Sequence, residues 1–191
     1  MTSSETGPER SANLLGALVL VLHDRLEESI EEAVGENESG AAALNALADF
    51  LDEPTVGRVH EVLGLTPSGA VRLVDRLEAD GYLERRPGED GRSTTVRLTR
   101  SGRAAARRVA AARAAVLGRA LEGLSAGERR TLDRLLARLL PKQIRGPGAR
   151  RWMCRMCDTG ACGRARGLCP VANAARARYG AGGPEASPGT R

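Results

Sequence analysis

All four cysteines of this 191-residue chain fall between positions 154 and 169, spaced Cys154-x2-Cys157-x4-Cys162-x6-Cys169. Thiolates gathered this closely, with no cysteine elsewhere, point to metal chemistry rather than to disulfides that staple a fold. The Cys154-x-x-Cys157 step lets two sulfurs meet on one ion, Gly160 and Gly163 loosen the backbone near the third, and Pro170 follows the fourth. Four thiolates in a tetrahedron suit zinc. They also suit an iron–sulfur cluster, at which a cysteine directly before proline occurs. A metal-free thiol switch, or inert thiols, is the remaining alternative. Arg151, Arg155, Arg164 and Arg166 are expected to offset the sulfur charge, and Trp152 and Met153 to pack this segment onto the body.

A second group of residues has the types and spacing to meet nucleic acid. Thr66-Pro67 reads as a helix start, with a cap hydroxyl and a proline where its missing N–H costs nothing. Ser68 and Arg72, at i and i+4, then form one projecting edge, with Arg76 a turn further on and Val71, Val74 and Leu77 expected to face inward. Before it, Thr55 caps an apolar run of Val56, Val59, Val62 and Leu63, and Gly64 stops it. After it, Gly81 ends the helix, and residues 82–85 and 94–98 alternate well enough to pair as strands. The loop between them carries Pro87, Gly88, Asp90, Gly91 and Arg92, with Arg92 placed to probe a minor groove. Helix, turn, helix and charged ribbon in this order put the second helix in a major groove of double-stranded DNA.

The run LVDRLEADGYLERRPGEDGRSTTVRLTRSG resembles the winged helix of the multiple antibiotic resistance regulator (MarR) family, with the architecture similar over roughly residues 11 to 140. The resemblance implies that Asp90 and Arg92 pair at the wing tip, the arginine entering the minor groove, and that Ser68 and Arg72 face the bases. Gly91 departs from the basic residue often found there, so no phosphate contact is expected from it. The resemblance also implies a homodimer whose first helix and last two helices interlock across a two-fold axis; a small-molecule effector, metal occupancy and oxidation of the tail are the alternatives for what tunes DNA binding.

Elements able to position such a reader follow on either side. A helical reading of residues 13 to 34 puts Leu15, Leu18, Leu22, Leu26 and Ile30 on one stripe with acids opposite. Residues 100 to 123 form an alanine- and arginine-rich helix, and a capping box at Ser125 and Glu128 opens a last helix with Leu132, Leu135, Leu136, Leu139 and Leu140 on one side, stopped by Pro141. Those leucines either close the monomer's own core or meet a second copy; two copies would place the readers about 34 Å apart on a pseudopalindromic operator. The expected fold is mainly α with a small β-hairpin wing. It divides into a disordered start (1–10), N-terminal support and dimerisation helices (11–53), a winged helix-turn-helix (54–99), C-terminal dimerisation helices (100–141), a cysteine-rich tail (142–175) that opens with a basic linker, and a disordered end (176–191).

Charge is distributed accordingly. Residues 1–53 carry twelve acidic against two basic side chains, residues 54–113 seven against twelve, and residues 142–191 two against ten. The basic charge lies on the reader and the tail, as DNA binding requires. No apolar run approaches the ~18 residues of a membrane span. Leu14 to Leu22 leads into acidic helix rather than a cleavage region, so a cytoplasmic protein is expected. His23 and His60 are isolated and read as structural. No nucleophile–base–oxyanion arrangement and no phosphate loop after a strand is present, so enzymatic activity is not expected. The reading is a DNA-binding regulator, a repressor, modulated by a ligand or by the metal or redox state of the tail. A thiol redox protein working through Cys154 and Cys157, and a protein-assembly module, are the alternatives.

Overall fold

The reader's core is built from branched side chains that every element between residues 30 and 109 contributes. In the computed structural model, which describes residues 8–88, 93–146 and 149–180, the order is α1 (Pro8–Val34), α2 (Glu38–Asp49), α3 (Val56–Leu63), α4 (Pro67–Ala79), β1 (Leu83–Pro87), β2 (Thr94–Leu98), α5 (Arg100–Ala120), α6 (Ala126–Leu139), α7 (Ala149–Cys154) and α8 (Pro170–Tyr179). Short 3-10 turns cover Leu140–Gln143 and Arg164–Arg166. Leu44, Val59, Val62, Val74, Leu77, Val96 and Val109 are fully buried in one cluster. The fold is the expected one, mainly helical with a two-stranded antiparallel wing.

Local chemistry sets the boundaries. Thr55, Thr66, Thr99 and Ser125 cap α3, α4, α5 and α6, each accepting from a backbone N–H three residues on, and Ser125 completes a capping box with Glu128. Gly64 ends α3 in the left-handed region, at φ 65°, where a side chain would be strained. The wing pairs Leu83 with Leu98 and Pro87 with Thr94. Residues 54 and 55 dock on its outer edge, where the Val96 N–H donates to the Pro54 carbonyl and Thr55 bridges Thr95.

The Thr99-Arg100-Ser101-Gly102 step locks wing to helix. Thr99 and Ser101 hydroxyls both donate to the Gly81 carbonyl, and a Cβ at Gly102 would stand 2.0 Å from the Tyr82 carbonyl oxygen. Only glycine lets α5 start this close to the strand.

Several expectations need correction. The buried face of α4 is Ala70, Leu73, Val74 and Leu77, and Val71 is 46% exposed. Five apolar residues compete for one helix face, and the i, i+3, i+4, i+7 set anchored by small Ala70 wins. α1 begins at Pro8, inside the segment expected to be disordered, and α8 continues through Tyr179. The basic stretch after Pro141 is not all linker, since it contains the 3-10 turn and the start of α7. No residue of α6 is buried, and Leu135, Leu136, Leu139 and Leu140 lie exposed, so these leucines do not close the monomer's core. The stripe of α1 is buried at Ile30, half-buried at Leu26 and Leu22, and exposed at Leu18 and Leu15.

Candidate nucleic-acid interface and the cysteine module

The face of α4 opposite its buried stripe is a short, solvent-facing strip. Pro67, Ser68, Val71, Arg72 and Asp75 are all exposed on it. Thr66 stays at the helix start, its Oγ1 accepting from the Gly69 N–H at 3.1 Å and standing 3.4 Å from the Ser68 hydroxyl. Ser68 and Arg72 share this face, and Val71, which the sequence pattern assigns inward, joins them.

Arg76 is held differently. Its Nη2 lies 2.9 Å from Glu36 Oε2 and donates to Asn37 Oδ1 at 3.3 Å, tying α4 to the start of α2. Glu36 is only 4% exposed, and burial raises its carboxyl above the usual carboxylate range while Arg76 pulls it back down.

The wing is fastened to the same helix. Arg85 on β1 reaches Asp75 of α4 at 2.6 Å and also binds Glu78. Across the hairpin, Glu84 accepts from Arg97 and Arg86, which hold its carboxyl below the usual range. Such ion pairs fix the angle between helix and ribbon more than they add stability. Asp90 and Arg92 lie outside the described residues. His60 is structural: in its Nδ1–H tautomer the ring donates to the Leu65 carbonyl across the turn between α3 and α4.

The fold brings all four cysteines together. Cys154 and Cys169 are buried with Ile144, Val171, Ala172 and Ala175, and Cys157 and Cys162 pack against them. Every thiol is free of disulfide bonds. Cys154 ends α7, and Cys169 caps α8, where its Sγ accepts from the Ala172 N–H at 3.5 Å. A hydrogen bond from the Cys154 thiol brings Cys157 down to about 6, against the effect of burial, and the same bond together with burial pushes Cys154 up. Burial, followed by the neighbouring Cys169, raises Cys162. Among the described residues no group of three or more His, Cys, Asp or Glu stands in a geometry that could hold a metal ion.

This module sits on the reader through contacts that sequence reasoning missed. Asn45, buried among the alanines of α2, donates both amide protons to the module, to the carbonyls of Arg155 (3.0 Å) and Cys157 (3.2 Å). Thr159 donates to Asp49 from both its N–H and its hydroxyl. Trp152 lies against Gly64, in the turn between α3 and α4, and Met156 packs on the reader's core. Met153, expected in that role with Trp152, packs instead inside the module. Arg155 serves docking: it pairs with Glu38 and stacks over Trp152 at 4.4 Å. Arg164 lies over Phe50, and its charge is a minor downward influence on Cys154, which stays raised, and on Cys157, which is lowered chiefly by the Cys154 thiol. One signal is present in the sequence, a lone asparagine at position 45 within an alanine-rich helix face.

A helix-turn-helix with its second helix solvent-facing, braced by a charged wing, defines a nucleic-acid reader. Residues 41–93 of the chain match the family model described as MarR family. Its fold is that of DNA-binding transcriptional regulators. The chain is similar to the YusO protein from Bacillus subtilis, with 22% identity and a TM-score of 0.63 over 73% of this chain and 98% of that one. It is similar to a cysteine-to-serine mutant of MarR from E. coli, with 25% identity and a TM-score of 0.53 over 66% and 96%. It also resembles a mutant of S. aureus MepR bound to an oligodeoxyribonucleotide, with 17% identity and a TM-score of 0.54 over 70% and 98%. No curated protein matches the chain in sequence. Among the described residues no helix is long and apolar enough to cross a membrane.

Proposed function

We propose that this chain is a homodimeric, sequence-specific transcriptional repressor that reads a pseudopalindromic operator. The observation that carries this reading is the outer strip of α4, where Ser68, Val71 and Arg72 stand exposed on a helix whose other face is buried in the core. In a major groove, Arg72 can bind a guanine through two hydrogen bonds, Ser68 can meet either a donor or an acceptor, and the Val71 methyls can contact thymine. Thr66 and Pro67 place the helix start beside the phosphates. Arg76, held by Glu36, sets the helix angle and offers its remaining N–H groups to the backbone. Asp90 and Arg92 supply the wing contact to the minor groove.

Dimerisation is supported by two apolar faces that none of the described residues covers. Leu14, Leu15, Leu18 and Val19 of α1 and Leu135, Leu136 and Leu139 of α6 are exposed. Faces of this extent at both ends of the helical frame suit an isologous contact with a second copy. Two readers on one operator occlude DNA, which is the basis of repression.

The test is binding to an operator selected from random duplexes, with salt varied. Arg72→Ala should lose about 1–3 kcal/mol of specific affinity, roughly 10- to 100-fold, and relax sequence preference at one position. Non-specific affinity should change little. Equal affinity for selected and scrambled duplexes in the wild type would remove the reading.

A further inference from the structure

We propose that Cys154, Cys157, Cys162 and Cys169 together form a tetrathiolate site for one zinc ion, which closes the C-terminal module against the reader. The donor set is complete within one cluster, since all four sulfurs belong to a single packed group although they are spread over sixteen residues of chain. It is also purely sulfur. Asp158, the one carboxylate of the segment between Cys154 and Cys169, is turned to the Ala161 N–H at 2.8 Å. Four sulfurs without an oxygen or imidazole select a thiophilic ion of tetrahedral preference.

The packing argues for a metal independently. Apart from the cysteines, the module's buried core holds only Ile144, Val171, Ala172 and Ala175 among the described residues, too little apolar area to order two short helices and the turns between them. Small modules with so little core are ordinarily held by disulfides or by an ion, and these thiols are unpaired. Backbone geometry also suits thiolates. The chain turns sharply after Cys154, where the Cys157 N–H donates to the Cys154 carbonyl at 2.9 Å. The Ala172 N–H already points at Cys169 Sγ. Among the described residues no three of these side chains stand in metal-holding geometry, so binding requires the ion to draw the four sulfurs together.

Closure has a consequence for the reader. The carbonyls of Arg155 and Cys157, which Asn45 binds, lie in the loop that begins at the first two ligands. The ion therefore stiffens a loop pinned to α2, while Trp152, two residues before Cys154, rests on the turn that precedes α4.

The full chain, purified without added metal, is examined by elemental analysis. About one zinc per chain is expected, in a colourless protein whose zinc is released when a mercurial titrates the thiols. Cobalt(II) added to the stripped wild-type chain should give the absorption bands of a tetrahedral tetrathiolate, a readout that does not depend on any variant folding. The double variant Cys154→Ser and Cys169→Ser should retain less than about a tenth of the zinc. Stripping the metal should speed backbone amide exchange in residues 38–49. Bound iron with acid-labile sulfide, thiols oxidised to disulfides at full occupancy, or cobalt spectra without tetrahedral thiolate bands would each overturn the assignment. None of these measurements involves DNA, so their failure would leave the reading of α4 and the wing untouched.

Discussion

The reader and the cysteine module solve the same problem of ordering short helices with opposite materials. The reader buries seven large branched side chains completely, all of them on its own elements. The module buries cysteine, alanine and two branched residues, and relies on polar contacts to α2 for its place. Burial of branched side chains is non-directional and strong, so the reader tolerates variation in detail. Thiols and hydrogen bonds are directional, so the module depends on a few atoms being where they are.

The sharpest way to break that contrast is to truncate one core residue in each. Leu77 is fully buried where α4 meets the central cluster, and Leu77→Ala should cost about 2–5 kcal/mol of global stability by urea unfolding. Val171→Ala in the module should cost about 1–3 kcal/mol in local protection, leaving the midpoint of the reader's unfolding almost unchanged. A shared loss of midpoint in both variants would mean that reader and module unfold as one unit.

What is legible in the sequence divides along the same line. Thr55, Thr66, Gly64, Ser125 and Glu128 are local signals, each acting on backbone groups a few residues away, and the structure uses them as read. Alternation over residues 82–85 and 94–98, with turn formers between, carries the hairpin. Periodicity alone cannot choose between Ala70 and Val71, because both lie near the same face; the choice is made by tight packing against neighbours, which buries Ala70. Of the module's docking only the lone asparagine at 45 in an alanine-rich face leaves a mark in the sequence, and that mark does not name its partner. Asn45 and its acceptors are 110 and 112 residues apart, and nothing in the local pattern of either segment names the other. The docking roles of Arg155 and Met156 escape a sequence reading for the same reason, since their partners lie in α2 and in the reader's core.

Asn45 offers the next test, of intermediate size. Among the described residues its amide is the one buried side-chain group that satisfies two carbonyls of the module at once. Asn45→Ala should leave α2 intact, because alanine occupies four nearby buried positions of the same helix. It should cost about 1–3 kcal/mol, since the two carbonyls lose their donors, and the loss should fall on the module. Hydrogen exchange across residues 152–162 should accelerate, whereas exchange in α4 should not. Acceleration confined to α4 would reverse the proposed order of dependence.

The smallest effect concerns the junction on which the reader itself is oriented. Glu36 is buried at the start of α2 and bound to Arg76 of α4, and burial raises its carboxyl above the ordinary value. A carboxyl raised in the folded state binds its proton more tightly there than in the unfolded chain. Its contribution to stability is therefore greatest below the ordinary glutamate value, and declines as pH rises through the raised folded one. Glu36→Gln removes that decline while keeping an oxygen for Arg76 to bind. Wild type minus variant stability should fall as pH climbs through this acid window and stay level above it, with a neutral-pH difference within about 1 kcal/mol. Thermal unfolding at a series of pH values measures the slope. A difference that grows with pH would mean that the Arg76 ion pair outweighs burial, and that the reader's angle is set by charge attraction rather than by the fit of α4 against α2.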